Sequence, residues 1–289
     1  MTARRFLHRQ FPVPPALQPY VECFDTFEEV PPGRPITTVA GEICHETLPG
    51  DDRLVESVIP GGRLMLSFNL GDPFTLARES RTETRREPSH VVGADTGRMR
   101  MVTGGHVELL GVMLRPGCGA AFLGMPADEV AGRFVGLGEL WGRDGRQLDD
   151  QLRDSSSPLE RIACIADELL RRLGRHGLPD LRFASLADLI ARHGGSIRIE
   201  ALSDASGLTR QHLTRRFREL VGVTPKQFCR LERFDQVFRA AYRRPRVDWA
   251  QVALDCGYYD QAHLIAEFKE FTGMTPTEFF QPLPRAAGS

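Results

Sequence analysis

Apolar and polar residues alternate across residues 63–70, with Leu64, Leu66, Phe68 and Leu70 on one side and Met65, Ser67 and Asn69 on the other. Period-two alternation predicts a strand that turns one face to a core. Gly61-Gly62 and Gly71-Asp72 supply turns at its ends, and Gly104-Gly105 precedes a second strand-like run over residues 107–114. Residues 75–88 are charged and poorly patterned, which predicts an exposed hairpin or loop. Residues 1–115 therefore read as β-rich, and Arg115-Pro116-Gly117 closes the region.

From Cys118 the period becomes helical. Leu159, Ile162, Ala166, Leu169 and Leu173 form an apolar stripe at helix spacing, with Ser155-Ser156-Ser157 to cap its start and Gly174 to end it. The stripe serves either a dimer interface or packing on the chain's own β-rich part. Residues 176–182 are the predicted linker, which divides the chain into a β-rich regulatory or dimerisation domain with trailing helices (1–175) and an all-helical domain (183–289). The expected fold class is α+β, with a barrel-like N-terminal domain.

The helical part repeats itself. Gly222-Val223-Thr224-Pro225 returns as Gly273-Met274-Thr275-Pro276, and at the same offset Leu213 matches Leu264, Phe217 matches Phe268 and Phe228 matches Phe279. Gly207 and Gly257 fall where a first helix must end in a left-handed residue. Thr209 and Asp260 are suited to cap a second helix, and Thr224-Pro225-Lys226-Gln227 and Thr275-Pro276-Thr277-Glu278 are capping boxes that open a third. Each copy thus reads as helix, tight turn, helix. Residues 225–242 would form a connecting helix of roughly 25 Å. A spacer of that order can place two helices near the ~34 Å repeat of the major groove.

Composition fits a globular chain: 289 residues, 41% hydrophobic, 26% charged and a net charge of −1. The charge is uneven, with a slight basic excess from Ala184 onward and a net acidic remainder. No apolar run approaches the roughly 20 residues of a membrane helix, and residues 1–9 lead into no apolar signal segment. The expectation is a cytoplasmic protein that makes no membrane contact. The 6 cysteines, Cys23, Cys44, Cys118, Cys164, Cys229 and Cys256, are scattered without a C-x-x-C pair and read as buried small hydrophobes.

Residues 183–280 resemble the DNA-binding domain of the AraC/XylS family of transcription regulators. The resemblance rests on both turn glycines, both buried Leu/Phe pairs, the doubled Gly-x-Thr-Pro signature and the run from Gly257 to His263. Residues 58–64, 110–125 and 126–141 look, more loosely, like the N-terminal domain of one group of these regulators. The implied function is sequence-specific recognition of double-stranded DNA by two helix-turn-helix units. The N-terminal domain would sense an effector or dimerise. RNA polymerase would be a partner if the protein activates; a small-molecule effector and a homodimer are left open.

With Leu213 and Phe217 buried, helix geometry turns Arg210, Gln211, Thr214, Arg215 and Arg218 outward. The resemblance assigns base contact to Gln211, Thr214 and Arg215, residue types that suit adenine, base edges or thymine methyl groups, and guanine. Arg210 and Arg218 are expected at phosphates. Arg216 stands where the family usually carries an apolar residue. In the second unit Gln261 and His263 are the polar candidates, with His263 divided between DNA contact and helix capping. Ile265 and Ala266 replace residues that are often polar or Arg, and Glu267 would face phosphate with the wrong charge. A surface arginine alone is ordinarily a solvated charge; the framing of this whole face favours DNA.

The competing reading is a DNA-targeted enzyme with a catalytic N-terminal domain. It would need a four-cysteine cluster near the N-terminus or a nucleophile or nucleotide motif, and the sequence supplies none. The expectation is no enzyme, no cofactor and no metal centre. Cys44-His45 is the nearest metal pair; His90 and His106 lack partners at ligand spacing. Trp141, Phe122 and Phe134 are expected in the core.

Overall fold

The structure is a computed structural model that describes residues 5–30, 44–47, 54–58, 61–78, 81–84, 88–94, 99–103, 105–242 and 247–280. The N-terminal part runs β1 (Arg5–Phe11), β2 (Val21–Val30), β3 (Cys44–Thr47), β4 (Leu54–Val58), β5 (Met65–Asn69), β6 (Thr75–Arg78), β7 (Arg81–Thr84), β8 (Ser89–Val92), β9 (Met99–Thr103) and β10 (Glu108–Leu114). There follow α1 (Gly119–Leu123), a 3-10 turn (Ala127–Glu129), β11 (Phe134–Gly136), α2 (Leu137–Leu140), α3 (Arg143–Asp154) and α4 (Pro158–His176). The rest is helical: α5 (Leu181–Arg192), α6 (Ile199–Ser206), α7 (Arg210–Val221), α8 (Pro225–Tyr242), α9 (Trp249–Asp255), α10 (Gln261–Thr272) and α11 (Pro276–Phe279). The fold is α+β.

The strands form two antiparallel sheets, one 6-stranded in the order β1-β2-β10-β5-β8-β11 and one 5-stranded in the order β3-β4-β9-β6-β7. Leu66 and Phe68 of β5, Val112 and Leu114 of β10, and Val91 of β8 bring the first sheet onto a core closed by α1, α3 and α4. Phe74 and Met101 meet Phe134 between the sheets. The charged stretch after Phe74 is a hairpin, with β6 paired to β7. Trp141, Phe122 and Phe134 are buried as expected. Strand β3 begins with Cys44 and His45, whose side chains lie outside the described residues. Among the described residues no group of three or more His, Cys, Asp or Glu could hold a metal ion, and no helix is long and apolar enough to cross a membrane.

Helix α4 starts at Pro158 with Ser157 as its cap, as expected, but departs from expectation at its far end. It runs through Gly174 and stops at His176, where Gly177 takes φ 86. A single glycine inside a helix costs only about 1 kcal/mol; the left-handed position one turn later ends it. Ile162, Ala166, Leu169 and Leu173 are buried within the chain, so they offer no free dimer face, while Leu159 at the first turn is 64% exposed. The buried Arg172 donates to the Phe122 carbonyl at 2.5 Å and covers the Trp141 ring at 4.1 Å.

Gly207 ends α6 with φ 67, and Gly257 follows α9 with φ 76. The Thr209 side chain accepts from the His212 amide at 3.3 Å, and Asp260 accepts from the His263 amide at 2.7 Å. Both capping boxes form: the Thr224 amide donates to Gln227 at 3.0 Å, and the Thr275 amide to Glu278 at 2.7 Å. Leu213, Phe217, Leu264 and Phe268 are all buried, and Phe228, Phe234 and Phe238 of α8 pack between the two copies. Phe234 lies 5.2 Å from Phe268 and 4.8 Å from Phe271, ring centre to ring centre.

The two parts are joined by packing as well as by the chain. Ala94 sits in the helical core, and Gly117 backs onto Phe183 and Ala184. A Cβ at Gly62 would fall 2.5 Å from the Phe228 ring, so this turn needs a glycine to pass. Arg63 reaches Glu22 at 2.9 Å on its own side and the buried Glu232 of α8 at 2.9 Å on the other.

Candidate nucleic-acid interface

Helix α7 is apolar on one face and polar on the other. Leu213, Phe217 and Val221 are buried; Arg210, Gln211, Arg215 and Arg218 are exposed, and Thr214 is half-buried. All five of these outward residues line one open cleft of about 640 Å³ with Asp128, Glu219 and Thr224. The sequence-predicted residues of the first unit are therefore brought together.

Their electrostatic setting contains acids that the pattern alone did not single out. Arg210 is paired with Glu200 of α6. Glu219 receives Arg215 at 3.5 Å and Arg216 at 2.7 Å. Arg218 pairs with Asp128 of the 3-10 turn at 3.1 Å. Arg216, the departure from the family pattern, spends its charge on Glu219. Each exposed pair contributes about 0–1 kcal/mol, so a phosphate or a base edge can displace the acid at small cost.

In the second unit Gln261 and His263 are exposed at the start of α10. The His263 ring lies against Tyr258 at 5.2 Å, and its Nδ1 accepts weakly from the Tyr259 amide at 3.5 Å, which ties the imidazole to the turn. Tyr259 is 87% exposed beside them, and Lys269 is exposed further along α10. Neither was singled out from the sequence; an aromatic after Gly257 was the available signal.

Glu267 overturns its expected role. It is 5% exposed and accepts from Arg230 at 2.7 Å and from the Tyr258 hydroxyl at 2.9 Å. Facing α8, it does not present its charge at the surface. Burial is also the main influence on Tyr258, whose hydroxyl is held well above the usual phenol range. Cys118, Cys229 and Cys256 are buried and Cys23 and Cys164 half-buried; desolvation pushes the Cys23 and Cys229 thiols up to about 11 and Cys118 up to about 12.

Residues 202–282 match the family described as a helix-turn-helix domain. This stretch takes in both helix-turn-helix units, from Leu202 of α6 to the end of α11. Residues 9–136, ahead of that stretch, match a domain family of unknown function (DUF6597). The chain is 28% identical over 160 residues to the HTH-type transcriptional activator RhaR of Shigella dysenteriae serotype 1 (strain Sd197), covering 50% of this chain and 56% of that protein. RhaR of Escherichia coli (strain K12) is equally similar, at 28% identity with 50% and 56% covered. The chain thus spans little more than half the length of these relatives. Among solved structures, ToxT from Vibrio cholerae has a TM-score of 0.47 at 10% identity, with 82% of this chain and 96% of ToxT covered. The DNA-binding domain of AdpA, solved with a target DNA, has a TM-score of 0.31 at 24% identity, with 34% and 88% covered.

Proposed function

We propose that the protein is a sequence-specific, DNA-binding transcription regulator in which α7 and α10 read adjacent major-groove segments of double-stranded DNA. The observation that carries this reading is the single polar face of α7: Arg210, Gln211, Thr214, Arg215 and Arg218 line one cleft while Leu213 and Phe217 hold the opposite face in the core. Gln211, Thr214 and Arg215 contact bases; Arg210 and Arg218 contact phosphates. In α10, Gln261 reads a base and His263 shares its ring between the turn and the groove.

The functional division is residues 1–175 for effector sensing or dimerisation, 176–182 as linker and 183–289 for DNA. Cytoplasmic location, and RNA polymerase as partner if the protein activates, belong to the same reading. The test is selection of duplexes from a randomised library by the full chain. Recovery of one motif with two half-sites about one helical turn apart is expected. Recovery without sequence preference overturns the reading.

A further inference from the structure

Apolar contacts are non-directional, whereas satisfied hydrogen bonds to a buried charge also fix orientation. The junction between α8 and the second helix-turn-helix has both. Around the Phe234, Phe268 and Phe271 rings lies a polar knot centred on Glu267. Its Oε1 accepts from the Tyr258 hydroxyl at 2.9 Å, and its Oε2 accepts from Arg230 Nε at 2.7 Å and lies 3.7 Å from Arg233 Nη2. Arg230 continues to Glu270 at 2.6 Å and covers the Phe271 ring at 5.0 Å.

Arg233 extends this knot to the first unit. Its Nη1 donates to the Gly195 carbonyl at 3.4 Å, in the turn between α5 and α6, and its guanidinium lies 5.5 Å from the Tyr258 ring centre. One set of side chains therefore touches the entry to the first helix-turn-helix, the connecting helix, the turn of the second and α10 itself. Glu267 sits one helical turn beyond His263 on the same side of α10, buried against α8 where Gln261 and Ala266 are exposed.

We infer that Glu267 is a positioning residue: through Arg230, Arg233 and Tyr258 it sets the angle of α10 on α8, and thereby the spacing of half-sites that the protein accepts. This rests on α7 and α10 being the reading helices. Buried ion pairs commonly contribute less to stability than an apolar replacement would, and register is their best-attested role. Removing the Glu267 charge leaves α10 seated by its phenylalanines but free to rock. Such a helix should tolerate operators that the rigid arrangement rejects.

The experiment uses the full chain and a duplex selected by it from a randomised library, remade with one base pair added between the half-sites. That insertion turns the second half-site by about 35°. The wild-type protein should lose about tenfold in affinity, as for one mismatched base pair. Glu267→Gln and Tyr258→Phe should narrow that penalty to about threefold or less while binding to the first half-site alone stays unchanged. If Glu267→Gln fails to fold, Tyr258→Phe, which removes one hydroxyl, carries the test.

A folded variant that keeps the full spacing penalty overturns the inference, as does one that weakens at every spacing in equal proportion. Wild-type protein with a sequence preference but no spacing penalty overturns the positioning role alone. Wild-type protein with no sequence preference overturns the DNA reading beneath it.

Discussion

Arg218 Nε lies 3.1 Å from Asp128 Oδ2, so a side chain on the polar face of α7 is paired with an acid from the N-terminal part. The contact is not isolated. A Cβ at Gly222, just after α7, would come 3.3 Å from the Ala127 carbonyl oxygen. The end of α7 thus rests on the 3-10 turn, and DNA approaching Arg218 must displace Asp128 or share the arginine with it.

Replacing Asp128 with Asn should raise DNA affinity about two- to fivefold, since an exposed pair is worth ~0.2–1 kcal/mol. The gain should shrink as salt is added, because screening weakens both the pair and its phosphate competitor. Fluorescence anisotropy over a salt series measures it. Unchanged affinity at low salt would place Arg218 away from the DNA.

Arg215→Ala and Arg218→Ala should separate reading from positioning. The first should lose about 1–3 kcal/mol on the selected site, concentrated at one base pair. The second should weaken all sequences alike and reduce the salt slope by about one. Titrations on matched and scrambled duplexes distinguish the two patterns.

Arg63→Met should destabilise the protein, and more so at alkaline pH. Glu232 is pushed above the usual carboxylate range by burial, with Arg63 pulling it back down. Without Arg63 the carboxyl rises further. A raised folded-state value means stability present at low pH and lost as pH rises through that value. Breaking a buried pair costs about 3–5 kcal/mol when the remaining charge must stay ionised. Thermal melts of the variant and the wild type should therefore differ more near about pH 8 than near about pH 5. An equal difference at both would mean that Glu232 does not titrate in this range.

Two glycines should respond oppositely to alanine. Gly174 lies within α4 with open space around it, so Gly174→Ala should stabilise by about 0.5–1 kcal/mol. Gly257 has φ 76 and a Cβ there would collide with Ser196 Oγ. Gly257→Ala should cost about 1–2 kcal/mol from the backbone alone, with the collision added. Denaturant melts of both variants check the contrast.

The polar face of α7 was legible because it is set by local rules. Once Leu213 and Phe217 are inside, helical geometry leaves little choice for Arg210, Gln211, Thr214, Arg215 and Arg218. The caps at Thr209, Thr224, Asp260 and Thr275 are equally local. Glu267 was misread because its partners Arg230 and Arg233 lie on another helix, and no periodicity within α10 reports them. Asp128 was invisible for the same reason: it meets Arg218 only through the packing of one part on the other. Gly174 was mistaken for a helix stop because Gly177, one turn on, offered the same signal and prevailed.

Phe183 and Ala184 are neighbours in α5, yet Phe183 belongs to the helical core and Ala184 to the core beneath the first sheet. Helix α5 is consequently a party wall. Severing the chain just ahead of it would strip the β-rich half of one of its cladding timbers and give the other half an oily outer face. Rotating it in place would loosen one room as it tightened the other.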